Sequence, residues 1–430
     1  MVAMPRYHEV RSPQAWDPLA AATGLSRGAP FRDFVLYEKD GVWYYAGGTA
    51  AQLWVSPREI ITSWPGKRNR VGWENNPLPA VSRLLADYPG GRWNAYGWVT
   101  FELSYYLHGQ PAAEPELPLV RLIIPHTEAV IAAGGAVIRS LSRRTARECM
   151  ELMEATGDDL VPAAEQVPIR TGRAANTPAR SFLLRLDDTE AAGFSPETVV
   201  VTSREGRVTT QPLAGTRAFG RGAETDRALS AELRADPKEV YEHAISMRSS
   251  WVELASVCMR GSVHVDEPMA LKFRGTVQHL GSLVSGRLAA GRSPLDALAA
   301  VFPAVTASGI PKAAACACIS RIEPVARGLY AGSVFRLGSD RALDAALVLR
   351  SVYQSAGDAW LQAGAGIVSM SRPEREFEET CEKLACVASH IVPARAARAD
   401  DAPVSFAAAG AVPADAERQL APAGERLRER

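Results

Sequence analysis

The sequence predicts a large domain of the α/β or α+β class, although 430 residues could also form two or three average domains. The first 175 residues carry mostly strand signals, and a long helix with apolar residues spaced 4-3-4-3 follows Asp236-Pro237. Hydrophobic residues make up 47% of the chain and charged residues 22%, which is ordinary for a globular protein with a sizeable core.

The N-terminal part is predicted to be irregular and mostly β. A Lys39-Asp40-Gly41 turn between two apolar runs is typical of a hairpin. The expected elements, in order, are that hairpin at 34–45, a strand followed by a turn or helix at 93–106, a second hairpin joining 122–124 to 129–131, a short helix at 144–155 and a loop at 156–180.

The C-terminal part has a sharper pattern. Strands are predicted at 182–186, 199–202 and 208–210, then the long helix after Asp236-Pro237, then a helix, a loop, a helix and two strands up to Gly366, and a last helix from near Ser371. Residues 393–430 are rich in Ala, Pro, Asp and Arg without an apolar stripe, and we expect a disordered tail.

Charge and targeting signals exclude several classes of partner. The formal net charge is +0, from 48 basic and 48 acidic residues, which gives no reason to expect nucleic acid or an anionic membrane as partner. The N-terminus lacks the order of a secretory signal, and no apolar run approaches the ~20 residues that cross a bilayer. Six cysteines without a paired Cys-x-x-Cys framework predict a reduced, cytoplasmic protein.

Two predicted helices each carry a Glu-x-x-Glu pair: Glu239 with Glu242, and Glu376 with Glu379. Positions i and i+3 share a helix face, so four carboxylates could converge on a hard cation such as Mg²⁺. The same residues also fit ordinary helix starts. Glu239 could complete a capping box, and the other pair could be an acidic first turn that complements the helix dipole.

Glycine-rich and cationic segments could hold an anionic ligand. Free amides and the Thr306 hydroxyl precede a helix near Pro311, and Gly364 and Gly366 would let a carboxylate approach backbone N–H groups. A capped loop and a β-bulge are the alternatives. Arg350 ends an apolar strand. Its guanidinium could bind an anion such as a carboxylate, or it could lie in solvent at the end of the strand. Four further residues could add a hydroxyl, a cation and proton exchange: Tyr330, Lys383, His279 and Glu197.

Taken together, these segments resemble the family of chorismate-utilising enzymes, which includes salicylate, isochorismate, anthranilate and aminodeoxychorismate synthases. The resemblance runs from about residue 93 to 393 and is dense after Asn176. Its motifs lie at 193–197, 212–217, 238–243, 277–280, 302–312, 327–330, the Arg350 strand, 363–367 and 375–383. Segments 303–312 and 376–383 look like salicylate synthases, and no glutaminase portion is present to deliver ammonia.

This resemblance implies an α+β fold, a single large domain of two stacked β-sheets wrapped by helices. The domain would span 1–392, with a variable part at 1–175 and a motif-bearing part at 176–392. The implied site residues fall into three groups: Mg²⁺ ligands Glu239, Glu242, Glu376 and Glu379; substrate-binding Gly215, Thr216, Tyr330, Arg350, Gly364, Gly366 and Lys383; and catalytic Glu197, His279 and Thr306. Glu197 resembles the general acid that protonates the departing ring hydroxyl, and the implied partner is a small molecule, chorismate or isochorismate, bound by a monomer.

One expected feature of the family is missing. Members that add water use a lysine as base, in a strand upstream of the Ser-Pro-Glu motif, but this chain has no lysine between Lys67 and Lys238. Arginine stays protonated and cannot readily replace it. We therefore expect the release of pyruvate from isochorismate, giving salicylate, to be favoured over isochorismate synthesis. The alternatives are a full synthase with a substitute base such as a His or Glu, a non-catalytic chorismate-binding relative, or a variant that makes another chorismate-derived product.

Overall fold

The computed structural model describes residues 6–110, 114–155 and 166–391. These residues belong to one compact unit that ends at Ile391. The predicted tail at 393–430 lies outside the described residues, and the predicted domain boundaries stay predictions. Among the described residues, no single helix is both long and apolar enough to cross a bilayer, and only the bent pair Pro294–Val301 and Val305–Ile322 passes on length and composition.

The described residues form ten α-helices, a 3₁₀ turn and nineteen strands. The helices are α1 Pro18–Gly28, α2 Leu78–Ala86, α3 Leu103–Leu107, α4 Arg143–Ala155, α5 Gln166–Asn176, α6 Ala223–Ala235, α7 Pro237–Ala255, α8 Pro294–Val301, α9 Lys312–Ile322 and α10 Pro373–Ala388, and the 3₁₀ turn is Val305–Ala307. The strands are β1 His8–Ser12, β2 Phe34–Lys39, β3 Val42–Val55, β4 Glu59–Trp64, β5 Lys67–Gly72, β6 Asn94–Val99, β7 Val120–Ala132, β8 Gly135–Ser140, β9 Arg180–Leu186, β10 Thr189–Ser195, β11 Thr198–Thr202, β12 Arg207–Thr210, β13 Leu213–Ala218, β14 His264–Arg274, β15 Val277–Arg287, β16 Ser333–Gly338, β17 Leu343–Leu347, β18 Ser351–Ser355 and β19 Asp358–Leu361.

Two long strands join the sheet into a pair of layers. The first half of β3 pairs with β2 and its second half with β4, while β7 pairs with β6 near its start and with β8 near its end. One layer therefore contains β1, β8, β2, β9, β10, β18 and β19. The other contains β4, β5, β6, β16, β17, β11, β12, β13, β14 and β15, and all of these described pairings are antiparallel.

Apolar side chains fill the space between the layers and cover both outer faces. Tyr37 and Phe182 of one layer and Trp98 and Val334 of the other share one buried cluster. A second cluster lies under α1 and α4, and a third lies under α2, α7 and α8. Strand β16 shows how successive side chains alternate between the two faces of the sheet. Val334 packs in the cluster between the layers, and its neighbour Phe335 packs in the outer cluster under α2, α7 and α8. The predicted fold, two stacked sheets wrapped by helices in one large domain, is confirmed.

The hairpin predicted at 34–45 is present as β2 and β3. Asp40 and Gly41 both have positive φ, at 52° and 81°, as a two-residue hairpin turn requires. The second predicted hairpin, between 122 and 131, is wrong, because those residues form the continuous strand β7. Its segment 125–127 contains no glycine and runs on as extended chain, and the turn comes later, at Ala133 and Gly134. The loop predicted at 156–180 is also wrong in part, because it contains α5.

The long helix after Asp236-Pro237 is confirmed as α7, but its buried face differs from the predicted apolar stripe. The fully buried side chains are Glu239, His243, Ser246, Ser250 and Leu254, whereas Trp251 is 43% exposed. Polar side chains are buried along this face because it borders the cleft that contains most of the predicted site residues.

Candidate active site

Glu197 lies between β10 and β11 and is buried, with 4% of its surface exposed. The Thr306 hydroxyl lies 3.0 Å from each carboxyl oxygen and can donate to either. Burial raises the pKa of Glu197 to about 8, and the hydrogen bonds from Thr306 and the Leu213 backbone only partly oppose that shift. The side chain is therefore protonated near neutral pH and can give up a proton.

His279 on β15 is held in a neutral state beside this acid. Its Nδ1 lies 3.0 Å from the Thr216 hydroxyl oxygen and 3.3 Å from the Gly215 carbonyl oxygen. A carbonyl only accepts, so this contact assigns the proton to Nδ1 and leaves a lone pair on Nε2. Nε2 is buried and has no partner among the described residues. Burial and the nearby charge of Arg350 lower the pKa of His279 to about 3, so the ring can accept a hydrogen bond without carrying charge.

Arg350 is a half-buried cation without an anionic partner among the described residues. It follows β17 in a left-handed backbone conformation, with φ of 51°, which is costly for a residue with a side chain. Within the described ranges no carboxylate forms an ion pair with it, and burial lowers the pKa of its guanidinium. Both observations favour a ligand anion rather than the solvated strand end that the sequence left open.

Tyr330, Gly364 and Lys383 form a second wall of the cleft. A Cβ added to Gly364 would lie 3.1 Å from the Tyr330 hydroxyl oxygen, so this close approach depends on glycine. The Lys383 ammonium donates to the Gly364 carbonyl at 3.0 Å and pairs with Glu379 at 2.7 Å. Tyr330, Gly364 and Lys383 are thus brought together, whereas the family resemblance implied different carboxylates of the substrate for Tyr330 and for Lys383.

Glu242 on α7 lies near enough to the other three glutamates, including Glu376 and Glu379 on α10, to feel their charge. Burial raises the pKa of Glu242, and the negative charges of Glu239, Glu379 and Glu376 raise it further. Glu239 is not in a capping box. The Asp236 side chain alone caps α7, by accepting from the backbone N–H of Lys238 at 2.9 Å, while Glu239 accepts from Arg217 at 3.1 Å.

Two glycines connect this acidic group to the rest of the cleft. A Cβ on Gly215, whose φ is 77°, would lie 2.9 Å from a Glu239 carboxylate oxygen, and one on Gly366 would lie 3.7 Å from a Glu242 oxygen. The donors are carboxylate oxygens, which suit Mg²⁺. Within the described residues, however, no three His, Cys, Asp or Glu side chains are already arranged to hold a metal ion. An ion would therefore have to draw Glu239 and Glu379 away from Arg217 and Lys383.

Sequence reasoning missed one cation of the site. Arg274, at the end of β14, donates to the Pro196 carbonyl at 2.9 Å. Burial lowers the pKa of its guanidinium, and the charge of Arg350 lowers it further. Its neighbour Glu197 is held on the opposite side by Thr306. The turn sequence around Arg274 carries no spacing or composition signal that marks a site, so only the fold reveals this residue.

Comparison with known proteins identifies the family. The model of the chorismate binding enzyme family matches residues 164–389, which is more than half of the chain. The salicylate synthase of Mycolicibacterium paratuberculosis is 39% identical over 408 residues, covering 84% of this chain and 90% of that protein. The chain belongs to the chorismate binding enzymes. The match covers every predicted site residue from Glu197 to Lys383.

Other chorismate binding enzymes share part of the sequence or the fold. Anthranilate synthase component 1 of Thermus thermophilus is 42% identical over 214 residues, which is 50% of this chain and 46% of that protein. The structure of the menaquinone-specific isochorismate synthase from Escherichia coli matches with a TM-score of 0.66 at 20% identity, over 90% of this chain and 95% of that one. Anthranilate synthase component I from Streptococcus pneumoniae matches with a TM-score of 0.64 at 23% identity, over 83% and 92%. At such identities these structures show the fold alone.

This chorismate binding enzyme differs from the expected pattern upstream of β9. In the described residues between β8 and β9, at 141–155 and 166–179, only the helices α4 and α5 occur, and no strand is present. The C-terminal end of α5 packs directly on the cleft side of the sheet, because a Cβ on Gly275 would lie 2.3 Å from the Ala175 carbonyl oxygen. These described residues therefore contain no lysine-bearing strand. This agrees with the sequence, which has no lysine between Lys67 and Lys238.

Proposed function

We propose that the protein binds chorismate and isochorismate with Mg²⁺ and converts isochorismate to salicylate and pyruvate. The observation that carries this proposal is the occurrence in one structure of a half-buried cation without a described partner, Arg350, and a separate group of acidic side chains. A small molecule with two carboxylates fits that arrangement if a cation bridges one carboxylate to the glutamates. The likeness to a salicylate synthase over most of the chain supports the choice of substrate.

The enolpyruvyl carboxylate is assigned to Arg350. The guanidinium offers a bidentate match, and the Tyr330 hydroxyl and the backbone amides near Gly364 and Gly366 would complete the contacts. Partial desolvation would strengthen this contact, because the arginine is half-buried and has no competing partner among the described residues.

The ring carboxylate is assigned to the acidic end of the cleft. Glu239, Glu242, Glu376 and Glu379 would hold Mg²⁺, partly through water, and the ion would neutralise the carboxylate and fix its position. Lys383 lies beside this point and Gly215 and Thr216 line the ring pocket. With both carboxylates fixed, the enolpyruvyl side chain is positioned over the ring.

The loss of pyruvate needs positioning more than an external base. In this step a ring hydrogen passes to the enolpyruvyl group while the C–O bond to the ring breaks, so the substrate supplies its own acceptor. His279, neutral with Nε2 free, and Thr306 would orient the ring. Water addition, by contrast, needs a general base, whose loss typically costs about 10²–10⁴ in rate. We therefore assign the lyase step as the main activity and expect isochorismate synthesis to be slow.

A full salicylate synthase is the second candidate, because Glu197 is retained in a protonated state. A buried acid of this kind is what the departure of the ring hydroxyl requires, and it is of no evident use to the lyase step alone. In this case another side chain, a His or a Glu, would activate the water.

Incubation with each substrate separately, with and without Mg²⁺, tests the assignment. We expect salicylate and pyruvate from isochorismate, dependent on Mg²⁺, and at least about 10²-fold slower product formation from chorismate. Equal turnover of both substrates would identify the full synthase. Tight chorismate binding without any product would reject both enzymes in favour of a non-catalytic binding protein.

A further inference from the structure

A small internal cavity lies behind Glu197, away from the cleft. Its volume is about 10 Å³, and its lining includes Glu197, Thr210, Ser250, Glu253 and Val301. One water molecule needs about that much room and two to four polar partners. The predicted substrate-binding residues, all within the described ranges, do not line it.

Glu253 connects this cavity to the protein surface. On α7 it pairs with the Lys312 ammonium at 2.9 Å, and it accepts a hydrogen bond from Ser249 at 2.8 Å. The Glu253 side chain is 15% exposed whereas that of Lys312 is 6% exposed, so the carboxylate is the more accessible end of the pair. Lys312 also donates to the Val301 carbonyl at 2.6 Å, which fixes the ammonium and through it the carboxylate.

A buried acid needs a supply of protons. Once Glu197 has given its proton to the departing ring oxygen, the new carboxylate is enclosed by Thr306 and the apolar wall of Val199 and Val305. The cleft on its other side is filled by substrate and product. A proton that enters through Glu253 reaches Glu197 without the need to empty the cleft.

We propose that a water molecule in this cavity connects Glu197 to Glu253, and that the Glu253–Lys312 pair returns protons to the general acid through the protein core. This inference rests on the proposed function, since it assumes that Glu197 donates a proton. In the return step, solvent gives a proton to Glu253, Glu253 protonates the water as the water releases a proton to Glu197, and no charge remains behind. Glu253 is thus a positioning residue that acts through Glu197, and Lys312 holds it in place.

The charges around the pair are compatible with this role. Burial raises the pKa of Glu253 and lowers that of Lys312, which brings the two proton affinities closer. Arg274 on β14 and Thr306 on the 3₁₀ turn also face Glu197. Further titratable groups that face Lys312 are His108, after α3, and Cys316 on α9.

Infrared spectroscopy of the protein with excess salicylate and Mg²⁺ tests the route without turnover, because an occupied cleft closes the direct path from solvent to Glu197. The C=O band of protonated Glu197 is identified by its loss in Glu197→Gln, and rapid mixing into D₂O then follows the exchange of its proton. We expect Glu253→Gln to slow this exchange by roughly 10²-fold, the lower end of the effect of a positioned proton-transfer group. The double variant Glu253→Gln/Lys312→Met should do the same, and it leaves no unpaired buried charge that could unfold the protein.

Glu38→Gln is the matched control. Glu38 is a buried glutamate of the other layer, paired with Arg173 at 2.9 Å, and its replacement should leave the exchange of Glu197 unchanged. Exchange at the wild-type rate in both Glu253 variants would overturn the inference, as would equal slowing in the control. A protein that turned over neither chorismate nor isochorismate would still give this result, so failure of the proposed function is distinguished from failure of the proton route.

Discussion

Burial sets the proton states of single residues in the cleft. It raises the pKa of Glu197 to about 8 and lowers the pKa of His279 to about 3, so both side chains are neutral near pH 7. Arg350 and Lys383 are then the predicted substrate-binding groups that carry positive charge. Glu197 and His279 are both neutral, so they could orient a bound dianion through hydrogen bonds without neutralising its charge.

The proton state of Glu197 gives a signed pH dependence. Any step that takes its proton should lose rate as pH rises through about 8, because the carboxyl is protonated below that pH. The folded pKa lies above the ordinary value of 4.5, so the protonated form is favoured by folding, and stability should fall as pH rises from 4.5 to about 8. Both trends can be measured as isochorismate formation and thermal unfolding across pH.

Glu197→Gln supplies the control for this pH dependence. The amide cannot donate its proton as an acid, so the remaining isochorismate formation should drop by about 10²–10⁴ and lose the limb near pH 8. Pyruvate release from isochorismate should change much less. An unchanged limb in this variant would assign the titration to another group.

Arg350 is expected to lower the stability of the free protein and to strengthen substrate binding. Arg350→Met removes a half-buried cation without a described partner, so the free protein should melt at a higher temperature. The same change should weaken isochorismate binding by about 1.5–3 kcal/mol, the value of a charge-assisted hydrogen bond. Thermal unfolding and KM measure the two effects. Arg144→Met, on the exposed face of α4, should change neither, and a less stable Arg350→Met protein would contradict the prediction.

At the scale of elements, α7 and α10 decide the acidic end of the cleft. Their Glu-x-x-Glu pairs were visible in the sequence, but spacing could not show that the two helices face each other. The apolar period of α7 predicted the helix and misplaced its buried face, since Glu239, His243 and Ser250 are buried instead. The prediction of a hairpin within β7 is wrong for a related reason. Pairing with strands that are distant in the sequence decides whether two apolar runs form one strand or two.

Mg²⁺ should bind between α7 and α10 and stabilise the fold. At a free concentration of 100 times Kd, one bound ion contributes about 2.7 kcal/mol, which thermal unfolding detects directly. Glu242→Gln/Glu379→Gln should abolish the shift. Glu374→Gln/Glu378→Gln, on the exposed side of α10, should retain it. Equal shifts in both double variants would place the ion elsewhere.

For the whole molecule, the motifs predicted the family and its layered fold, while composition and length left the number of domains open. The site draws on α7, α10, the 3₁₀ turn and strand ends, and its first and last residues, Glu197 and Lys383, are 186 positions apart along the chain. The arrangement of the site residues in space could not be predicted from their spacing in the sequence. The monomeric state, the cytoplasmic location and the absence of nucleic acid, membrane and glutaminase partners stay predictions.

The core between the layers should dominate global stability. Trp98 is 1% exposed in the inner cluster, and Trp98→Ala should cost about 3–5 kcal/mol of unfolding free energy. Trp251, one of the apolar residues in the 4-3-4-3 spacing of α7, is 43% exposed, so Trp251→Ala should cost no more than about 0.5 kcal/mol. Denaturant unfolding of both variants compares the sites. A loss at Trp251 as large as that at Trp98 would contradict the prediction.

Because β3 and β7 run through both layers, we expect the two layers to open together. Amide hydrogens of β8, far from the cleft in the hydrogen-bonded order, should therefore exchange by the same cooperative opening as those of β15. A ligand in the cleft should slow exchange in both strands equally. Amide hydrogen exchange in both layers would then depend on whether a ligand occupies the cleft.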